Sequence, residues 1–203
     1  MKVERYDING GGRVSIPIPE SYKDCVILIK SDRYRITGKK ESFFSIALQQ
    51  LKPFNNSILF WFRLSQYRKG WLWPVCRLMY ALVSLRYHVD IPASTKIGYG
   101  FYIGHHICMV VNGATIIGNN VNLSQFVNIG SSDNLSAIIG DNVWIAPHVS
   151  IVDDVNIGNN SSVGAGAVVT KDVPENATVV GVPAKVINYN NPGRYVCNRW
   201  PID

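Results

Sequence analysis

Four histidines are the side chains of this 203-residue chain best suited to acid–base chemistry: His88, His105, His106 and His148. An imidazole titrates near neutral pH, so it can remove a proton from a hydroxyl group that attacks an electrophile. A carboxylate on the second ring nitrogen would hold the tautomer and stabilise the imidazolium that forms. The elements that carry these residues decide which histidine has such a partner.

An aliphatic residue returns every six positions along half of the chain. A period of six is neither the 3.6 of a helix nor the 2 of an alternating strand, so it indicates an internal repeat. The register is Ile91, Ile97, Ile103, Val111, Ile117, Leu123, Ile129, Ile139, Ile145, Ile151, Ile157, Val163 and Val169. Each unit predicts one short parallel strand and a tight corner, and three units form one triangular coil with a stacked aliphatic core. Two irregular spacings predict loops at residues 107–110 and 131–136.

The remaining chain predicts three smaller regions. Residues 1–40 contain short alternating runs at 14–18, 26–30 and 34–37, which predict a small β-meander. Residues 41–86 predict two or three helices, with Asn56 as a cap of the second. The solenoid occupies residues 87–187, and a tail occupies 188–203. Arg63, Arg68, Lys69, Arg77 and Arg86 lie among the aromatic residues of the helical region.

Composition limits the partners of the chain. A net charge of +6 and 17% charged residues suit a globular protein with a polyanionic partner. The basic residues form no dense cluster interleaved with aromatic residues, so no nucleic acid is expected. Four cysteines without a CxxC pair, and an N-terminus without an apolar leader, favour a reduced, cytoplasmic protein. No transmembrane helix is expected.

The motifs around His105 are specific. Val89-Asp90-Ile91-Pro92 is followed by Ile97-Gly98-Tyr99-Gly100-Phe101-Tyr102-Ile103-Gly104-His105 and by Val110-Val111-Asn112-Gly113. These segments resemble the serine acetyltransferase branch of the hexapeptide-repeat acyltransferases, and the resemblance extends from about Val89 to Ile187. It implies a left-handed parallel β-helix, in a mainly β chain. It also implies that Asp90 and His105 form a catalytic dyad, with His105 as the general base and Asp90 as its partner.

The spacing of the two dyad residues fits the predicted coil. Fifteen residues are three fewer than one coil, which places both near the same corner on adjacent coils, within side-chain reach. Gly104, His106, Asn112 and Gln125 are expected to line the substrate pocket. His106 could replace His105 as the base, but we favour a lining role.

The C-terminal end of the repeat resembles the coenzyme A end of the same superfamily. Its motifs are Val163-Gly164-Ala165-Gly166-Ala167-Val168-Val169-Thr170-Lys171-Asp172-Val173-Pro174 and Gly181-Val182-Pro183-Ala184-Lys185-Val186-Ile187. Small residues at the corners would let a pantetheine arm lie against the backbone. By resemblance, acetyl-CoA is the donor, Ser131, Pro147, Ala165 and Thr170 border it, and Lys171 and Lys185 face its phosphates. The resemblance also implies a homotrimer with the donor between two protomers.

The chain departs from the serine acetyltransferases at the positions that hold serine. Those enzymes have an Asp before the catalytic His and a basic, His-containing loop, whereas this chain has Gly104 and the nearly uncharged segment 131–136. A carboxylate and an ammonium group need partners in a desolvated site. With these departures and the aromatic, basic helical region before the coil, the chain resembles the polysaccharide O-acetyltransferases more closely than the serine acetyltransferases. The expected acceptor is therefore a sugar hydroxyl of a surface polysaccharide or its precursor.

Several alternatives remain open at this point. The acceptor could be serine, a nucleotide-linked amino sugar or an antibiotic, and the solenoid could be a non-catalytic trimeric scaffold. The aromatic, basic helical region could pack on the first coil or a neighbouring subunit, or it could bring the enzyme to the inner face of a membrane. No metal is expected, because the histidine intervals do not match the zinc site of hexapeptide carbonic anhydrases. Cys108 lacks an evident activating partner other than the histidines, so no covalent route is expected.

Overall fold

The chain folds into a parallel β-helix of about four turns, preceded by a hairpin and helices. We describe a computed structural model, which defines residues 1–9, 12–50, 57–132 and 135–202. Strands β1 (Lys2–Asp7) and β2 (Arg13–Ile18) pair antiparallel. Helices α1 (Tyr22–Thr37), α2 (Phe43–Gln49), α3 (Ser57–Gln66) and α4 (Trp73–Tyr87) follow. None of the helices within these ranges is long and apolar enough to cross a membrane.

The predicted β-meander is only half correct. Residues 2–18 form the hairpin, but 26–30 and 34–37 lie in α1 instead of in strands. The Ser21 hydroxyl accepts the N–H of Asp24 at the start of α1, and Gly38 ends the helix with a left-handed φ of 66°. Both signals are visible in the sequence, and the buried pair Leu28 and Ile29 fits a helical face. The expected helical region contains three helices, and its predicted cap, Asn56, lies outside the described residues.

In the part of the chain that the structure describes, thirteen short strands build the coils, and two further strands follow. They are β3 (Val89–Asp90), β4 (Lys96–Ile97), β5 (Tyr102–Ile103), β6 (Met109–Val111), β7 (Ile116–Ile117), β8 (Asn122–Leu123), β9 (Asn128–Gly130), β10 (Ile138–Ile139), β11 (Trp144–Ile145), β12 (Ser150–Val152), β13 (Asn156–Ile157), β14 (Ser162–Val163), β15 (Val168–Val169), β16 (Thr178–Val180) and β17 (Lys185–Asn188). From β3 to β15, every third strand pairs in parallel with its equivalent in the next coil, which gives three sheets, and β16 extends one of them by pairing in parallel with β14. Among the described strands that follow the helices, only β17 is antiparallel to its neighbour, β16.

The predicted aliphatic register forms the core. All thirteen register residues are buried, with exposures between 0% and 4%. A second buried residue lies two positions before many of them, as Val121 does before Leu123 and Val143 before Ile145. Each short strand therefore buries side chains on alternate positions, and stacking of the coils removes both from water.

The two predicted loops behave differently. Residues 131–132 and 135–137 lie between β9 and β10, as expected. The other loop is not at 107–110, because Met109 and Val110 already belong to β6. The extra residues instead lengthen the corner at 104–108, immediately around His105. A surplus at this corner leaves the strand pairing intact, since Val111 still pairs with Ile129.

A buried ion pair joins the helices to the first coil. Arg63 on α3 is 0% exposed, and its Nε and Nη2 donate to the two carboxylate oxygens of Asp32 on α1 at 2.8 and 3.0 Å. Arg63 also donates to the backbone carbonyls of Ile97 and Gly98, and Asp32 accepts the N–H of Phe101. Arg63 is therefore a structural residue and not part of a solvent-facing basic surface.

Candidate active site

Terminal segments cover two of the three faces of the β-helix. The face of β4, β7, β10 and β13 lies under the hairpin, whose Ile16 packs near Ile116. The face of β5, β8, β11, β14, β16 and β17 lies under α1 and the C-terminal tail, where Tyr195 packs on Trp144 with ring centroids 4.1 Å apart. The face of β3, β6, β9, β12 and β15 exposes Val110 at 47%, and we call it the open face.

Two edges border the open face. The chain enters the open face at residues 104–108, 124–126, 146–148 and 164–166, which we call the histidine edge. It leaves the open face at residues 112–115, 131–132, 135–137, 153–155 and 170–172, which we call the loop edge. Functional residues on a solenoid concentrate at such corners because the strands are occupied by core packing.

The predicted site residues divide between these edges. The histidine edge carries Gly104, His105, His106, Gln125, Pro147 and Ala165, whereas the loop edge carries Asn112, Ser131, Thr170 and Lys171. Asp90 lies on β3 in the open face, and Lys185 begins β17. Three residues of strand span about 10 Å, so the open face separates the two edges of one protomer by at least that distance. In one protomer, the predicted site residues therefore fall into two separate groups.

The residues of the histidine edge form a column along the solenoid. The N–H of Phe126 donates to the Ile107 carbonyl at 3.3 Å, and the N–H of His148 donates to the Gln125 carbonyl at 3.2 Å. In the next coil, the N–H of Gly166 donates to the Pro147 carbonyl at 3.0 Å. The turn containing His105 is thus followed in successive coils by Gln125, Pro147 and Ala165. The column begins at an imidazole and ends at a small, exposed residue.

His105 and Asp90 lie on neighbouring coils and both are exposed to solvent. Asp90 is directly opposite Val110 in the parallel pair of β3 and β6, and His105 lies in the corner that leads into β6. Across the described chain, the ion pairs do not include one between these two side chains. The pairing of His105 with Asp90 stays a prediction, and the longer corner at 104–108 is the segment that would have to adjust.

His106 is a poor candidate for the base. Burial, together with the neighbouring His105, lowers the pKa of its imidazole to about 4. Its Nε2 is buried and has no hydrogen-bond partner among the described residues, and its ring lies 5.9 Å from that of Tyr87. A group with so low a pKa is neutral at pH 7 and accepts a proton weakly. The exposed His105 is the better placed of the adjacent pair.

Two backbone amides at the predicted donor site are free. Within the described part of the chain, the N–H groups of Ala165 and Thr170 donate to no protein acceptor. Gly166 has a φ of 69°, and a Cβ built on it would meet no atom within 4 Å. This corner therefore offers open backbone surface to an extended ligand with carbonyl or amide groups.

The two predicted phosphate-binding lysines lie on the last coil and are exposed. Lys185 follows Ala184, whose N–H donates to the Val168 carbonyl, and Lys171 comes three residues after Val168. Neither lysine belongs to an ion pair within residues 1–9, 12–50, 57–132 and 135–202. Both ammonium groups can therefore bind an external anion without losing a protein partner.

Sequence reasoning missed two features near the site. A groove of about 520 Å³ runs between α4 and the first coil, and its lining includes Arg77, Ser84 and Asp90. On the histidine edge, the rings of Phe126 and His148 stack with centroids 4.6 Å apart. Neither follows from the repeat, because the groove depends on how α4 docks and the stack joins corner positions of adjacent coils. Among the described residues, no group of three His, Cys, Asp or Glu could hold a metal ion.

The repeat and its sequence identify the family. Residues 136–171 match the description of the bacterial transferase hexapeptide family with six repeats. The chain belongs to the hexapeptide-repeat transferases. The left-handed parallel β-helix expected from the sequence is thereby confirmed.

Relatives within the hexapeptide-repeat transferases include two curated enzymes. Serine acetyltransferase of Escherichia coli (strain K12) is 32% identical over 154 residues, which cover 71% of this chain and 54% of that protein. Galactoside O-acetyltransferase of the same strain is 35% identical over 113 residues, covering 49% of this chain and 56% of that protein. The chain spans about half the length of these curated relatives.

A solved structure shares the fold. Serine acetyltransferase from Brucella abortus strain S19, in complex with coenzyme A, aligns with a TM-score of 0.57 at 25% identity. The alignment covers 70% of this chain and 64% of that one. The similarity thus extends beyond the repeat that occupies residues 87–187 in our prediction.

Proposed function

We propose that this protein is an acetyl-CoA-dependent O-acetyltransferase that uses His105 as its general base. The observation that carries the proposal is the histidine edge, where a solvent-facing imidazole begins a column that ends at the free amide of Ala165. A hexapeptide-repeat transferase with this column has a base at one end and an open backbone surface for an extended donor at the other. The names of the relatives, acetyltransferases in both cases, support the same chemistry.

The proposed reaction requires one proton to move twice. The donor supplies a thioester whose carbonyl carbon is attacked by the acceptor hydroxyl. His105 accepts the proton of that hydroxyl and then returns it to the sulfur that leaves, so the enzyme regains its starting state. Asp90 would hold the imidazole tautomer and stabilise the imidazolium between the two transfers. Backbone amides beside the thioester would stabilise the oxyanion.

A homotrimer would complete the site. If the histidine edge of one protomer meets the loop edge of the next, His105 and Gln125 approach Asn112, Ser131, Thr170 and Lys171 across the interface. This arrangement would also cover the open face, on which Val110 is half exposed. The division of the predicted site residues between two edges supports the assembly, since one protomer leaves them about 10 Å apart or more.

We propose a carbohydrate acceptor, a sugar hydroxyl of a surface polysaccharide or its precursor. Gly104, next to His105, does not have a positive φ, and a Cβ built there would lie 3.7 Å from the nearest atom, Cε1 of Tyr102. A side chain would therefore fit, so glycine is not needed for the fold at this position. Because Gly104 carries no carboxylate, the space next to the proposed base at this position is neutral and open, which suits a polyhydroxyl acceptor. A serine acceptor is the second candidate, since the Escherichia coli relative is a serine acetyltransferase.

Acceptor choice can be tested with Gly104→Asp. We expect the wild type to release thiol from acetyl-CoA faster with sugar acceptors than with L-serine. The variant should lower kcat/KM for the best sugar by about tenfold or more, because the carboxylate occupies the neutral pocket and must be desolvated. Gly104→Ala, which adds bulk without charge, is the matched control and should lose less. Faster transfer to serine than to every sugar by the wild type would reject the carbohydrate assignment.

Phosphate binding by Lys171 and Lys185 can be tested with glutamine variants. Lys171→Gln and Lys185→Gln should each raise KM for acetyl-CoA by about tenfold, because a charge-assisted contact to a phosphate is lost. With acetyl-pantetheine, which lacks the nucleotide phosphates, the variants and wild type should have similar kinetic constants. Lys23→Gln, an exposed lysine on α1, is the control. An equal loss with both donors would show that these lysines do not act on phosphate.

A further inference from the structure

The outward side of α4 carries an apolar stripe. Val75, Leu78, Leu82 and Leu85 recur at intervals of three or four residues, and Trp71 lies just before the helix. These five side chains are between 52% and 84% exposed. At 100° per residue, the four helical positions fall within a sector about 80° wide. The stripe is therefore a continuous surface and not a scatter of single apolar residues.

This stripe is not the face that holds α4 in the protein. Cys76 and Tyr80 are buried on the opposite side of the helix, and the Tyr80 hydroxyl donates to the Ile91 carbonyl. Tyr80 packs with Phe62 and the first coil. Helix α4 thus has two apolar sides, of which only one is used within the protomer. The other side faces solvent at the N-terminal end of the β-helix.

The surroundings of the stripe are basic. The sequence contains no Asp or Glu from residue 42 to residue 89. Arg77 and Arg86 lie on either side of the stripe on α4, and Arg68 and Lys69 precede Trp71; all four are exposed. Arg63 does not contribute, because it is buried against Asp32. The result is an apolar strip bordered by four cations and without a carboxylate in its own segment.

We propose that this surface, formed by residues 68–71 and the outward side of α4, binds an anionic phospholipid membrane. Trp71 and the stripe would enter the boundary between head groups and acyl chains, and the four cations would lie at the level of the phosphates. A tryptophan next to basic residues is the side-chain set that favours this boundary. Charge complementarity argues against a second copy of the chain, since a self-contact would bring four cations against four cations.

The surface is continuous with the candidate active site. The groove of about 520 Å³ beside α4 is lined by Arg77 and Leu85 from the proposed membrane surface, and by Asp90 from the proposed dyad. An acceptor attached to a lipid would reach Asp90 from the membrane side without leaving the bilayer. This functional consequence rests on the proposed function, whereas membrane binding itself does not. Membrane binding can therefore be tested independently of catalysis.

Flotation with lipid vesicles tests the proposal in the absence of any substrate. The full chain should float with vesicles containing phosphatidylglycerol and phosphatidylcholine, and much less with phosphatidylcholine alone. Leu78→Ser combined with Leu82→Ser should lower the partition coefficient by at least about tenfold, because apolar area is removed from the boundary. Arg68→Gln with Lys69→Gln should lower it by about fivefold per cation. Both effects should appear at unchanged oligomeric mass.

Matched variants elsewhere control for general loss of charge or apolar surface. Val3→Ser with Ile27→Ser, and Lys39→Gln with Lys40→Gln, change exposed residues on the hairpin, α1 and the loop after it. These variants should float as the wild type does. Failure of the wild type to float with anionic vesicles overturns the proposal. So does equal loss by control and stripe variants, or a stripe variant that changes the oligomeric mass while vesicle binding persists, which would assign the stripe to a subunit contact.

Discussion

Replacing His105 with alanine is expected to lower kcat for acetyl transfer by about 10²–10⁴-fold, the usual contribution of a positioned general base. KM for acetyl-CoA should change little, because the proposed donor contacts lie further along the histidine edge and across the interface. The measurement is thiol release from acetyl-CoA at saturating concentrations of the best acceptor. Added imidazole should restore part of the lost rate, since it can occupy the space of the missing ring and accept the same proton.

His148→Ala is the control for loss of an exposed imidazole on the same edge. It should leave kcat within the same order of magnitude, because His148 lies two coils away from the proposed base. Asp90→Ala tests the dyad through a double-mutant cycle. If Asp90 acts through His105, the double variant should be no slower than His105→Ala alone. Additive losses would show that Asp90 acts separately, and unchanged thiol release by His105→Ala would remove the assigned base.

Replacing Arg63 with methionine is expected to lower the free energy of unfolding by about 3–5 kcal/mol. The variant leaves the buried carboxylate of Asp32 without its cation and the carbonyls of Ile97 and Gly98 without a donor. Burial already raises the pKa of Asp32, and Arg63 opposes that rise. Without Arg63 the pKa of Asp32 should rise further, so the variant should lose more stability at pH 8 than at pH 5. Urea unfolding at a fixed protein concentration measures both effects.

The sign of this pH dependence follows from proton binding. When the pKa of Asp32 is higher in the folded than in the unfolded protein, the folded state binds more protons between the two values, and stability falls as the pH rises through them. Arg33→Met is the control, because Arg33 forms a partly exposed ion pair with Glu41 at 2.9 Å. That pair is expected to contribute about 1 kcal/mol or less. Similar losses for the two variants would contradict the structural role of Arg63.

The placement of most candidate site residues was predictable because it follows the repeat. A period of six assigns each residue to a face or a corner, and the same count that buries Ile103 and Ile145 places Gly104, His105 and Pro147 on one edge. The relation of His105 to Asp90 was not predictable to the same degree. It depends on the longer corner at 104–108, whose path is decided by packing and not by the period. The low pKa of His106 likewise depends on burial beside Tyr87, which no spacing reveals.

The sequence by itself determined the solenoid, because each unit repeats the same choice of buried aliphatic residue and tight corner, and the coils simply stack. It also determined which residues occupy the corners that form the candidate site. For the N-terminal residues the apolar pattern left two options, because residues 26–30 can alternate as a strand or turn as a helix. The caps at Ser21 and Gly38 favour the helix locally, and the tertiary structure decided its position through the contacts of Asp32 and Arg35 with the β-helix. Long-range contacts likewise bury Arg63 and leave Leu78 in solvent, because local pattern does not specify which side of a doubly apolar helix meets the core.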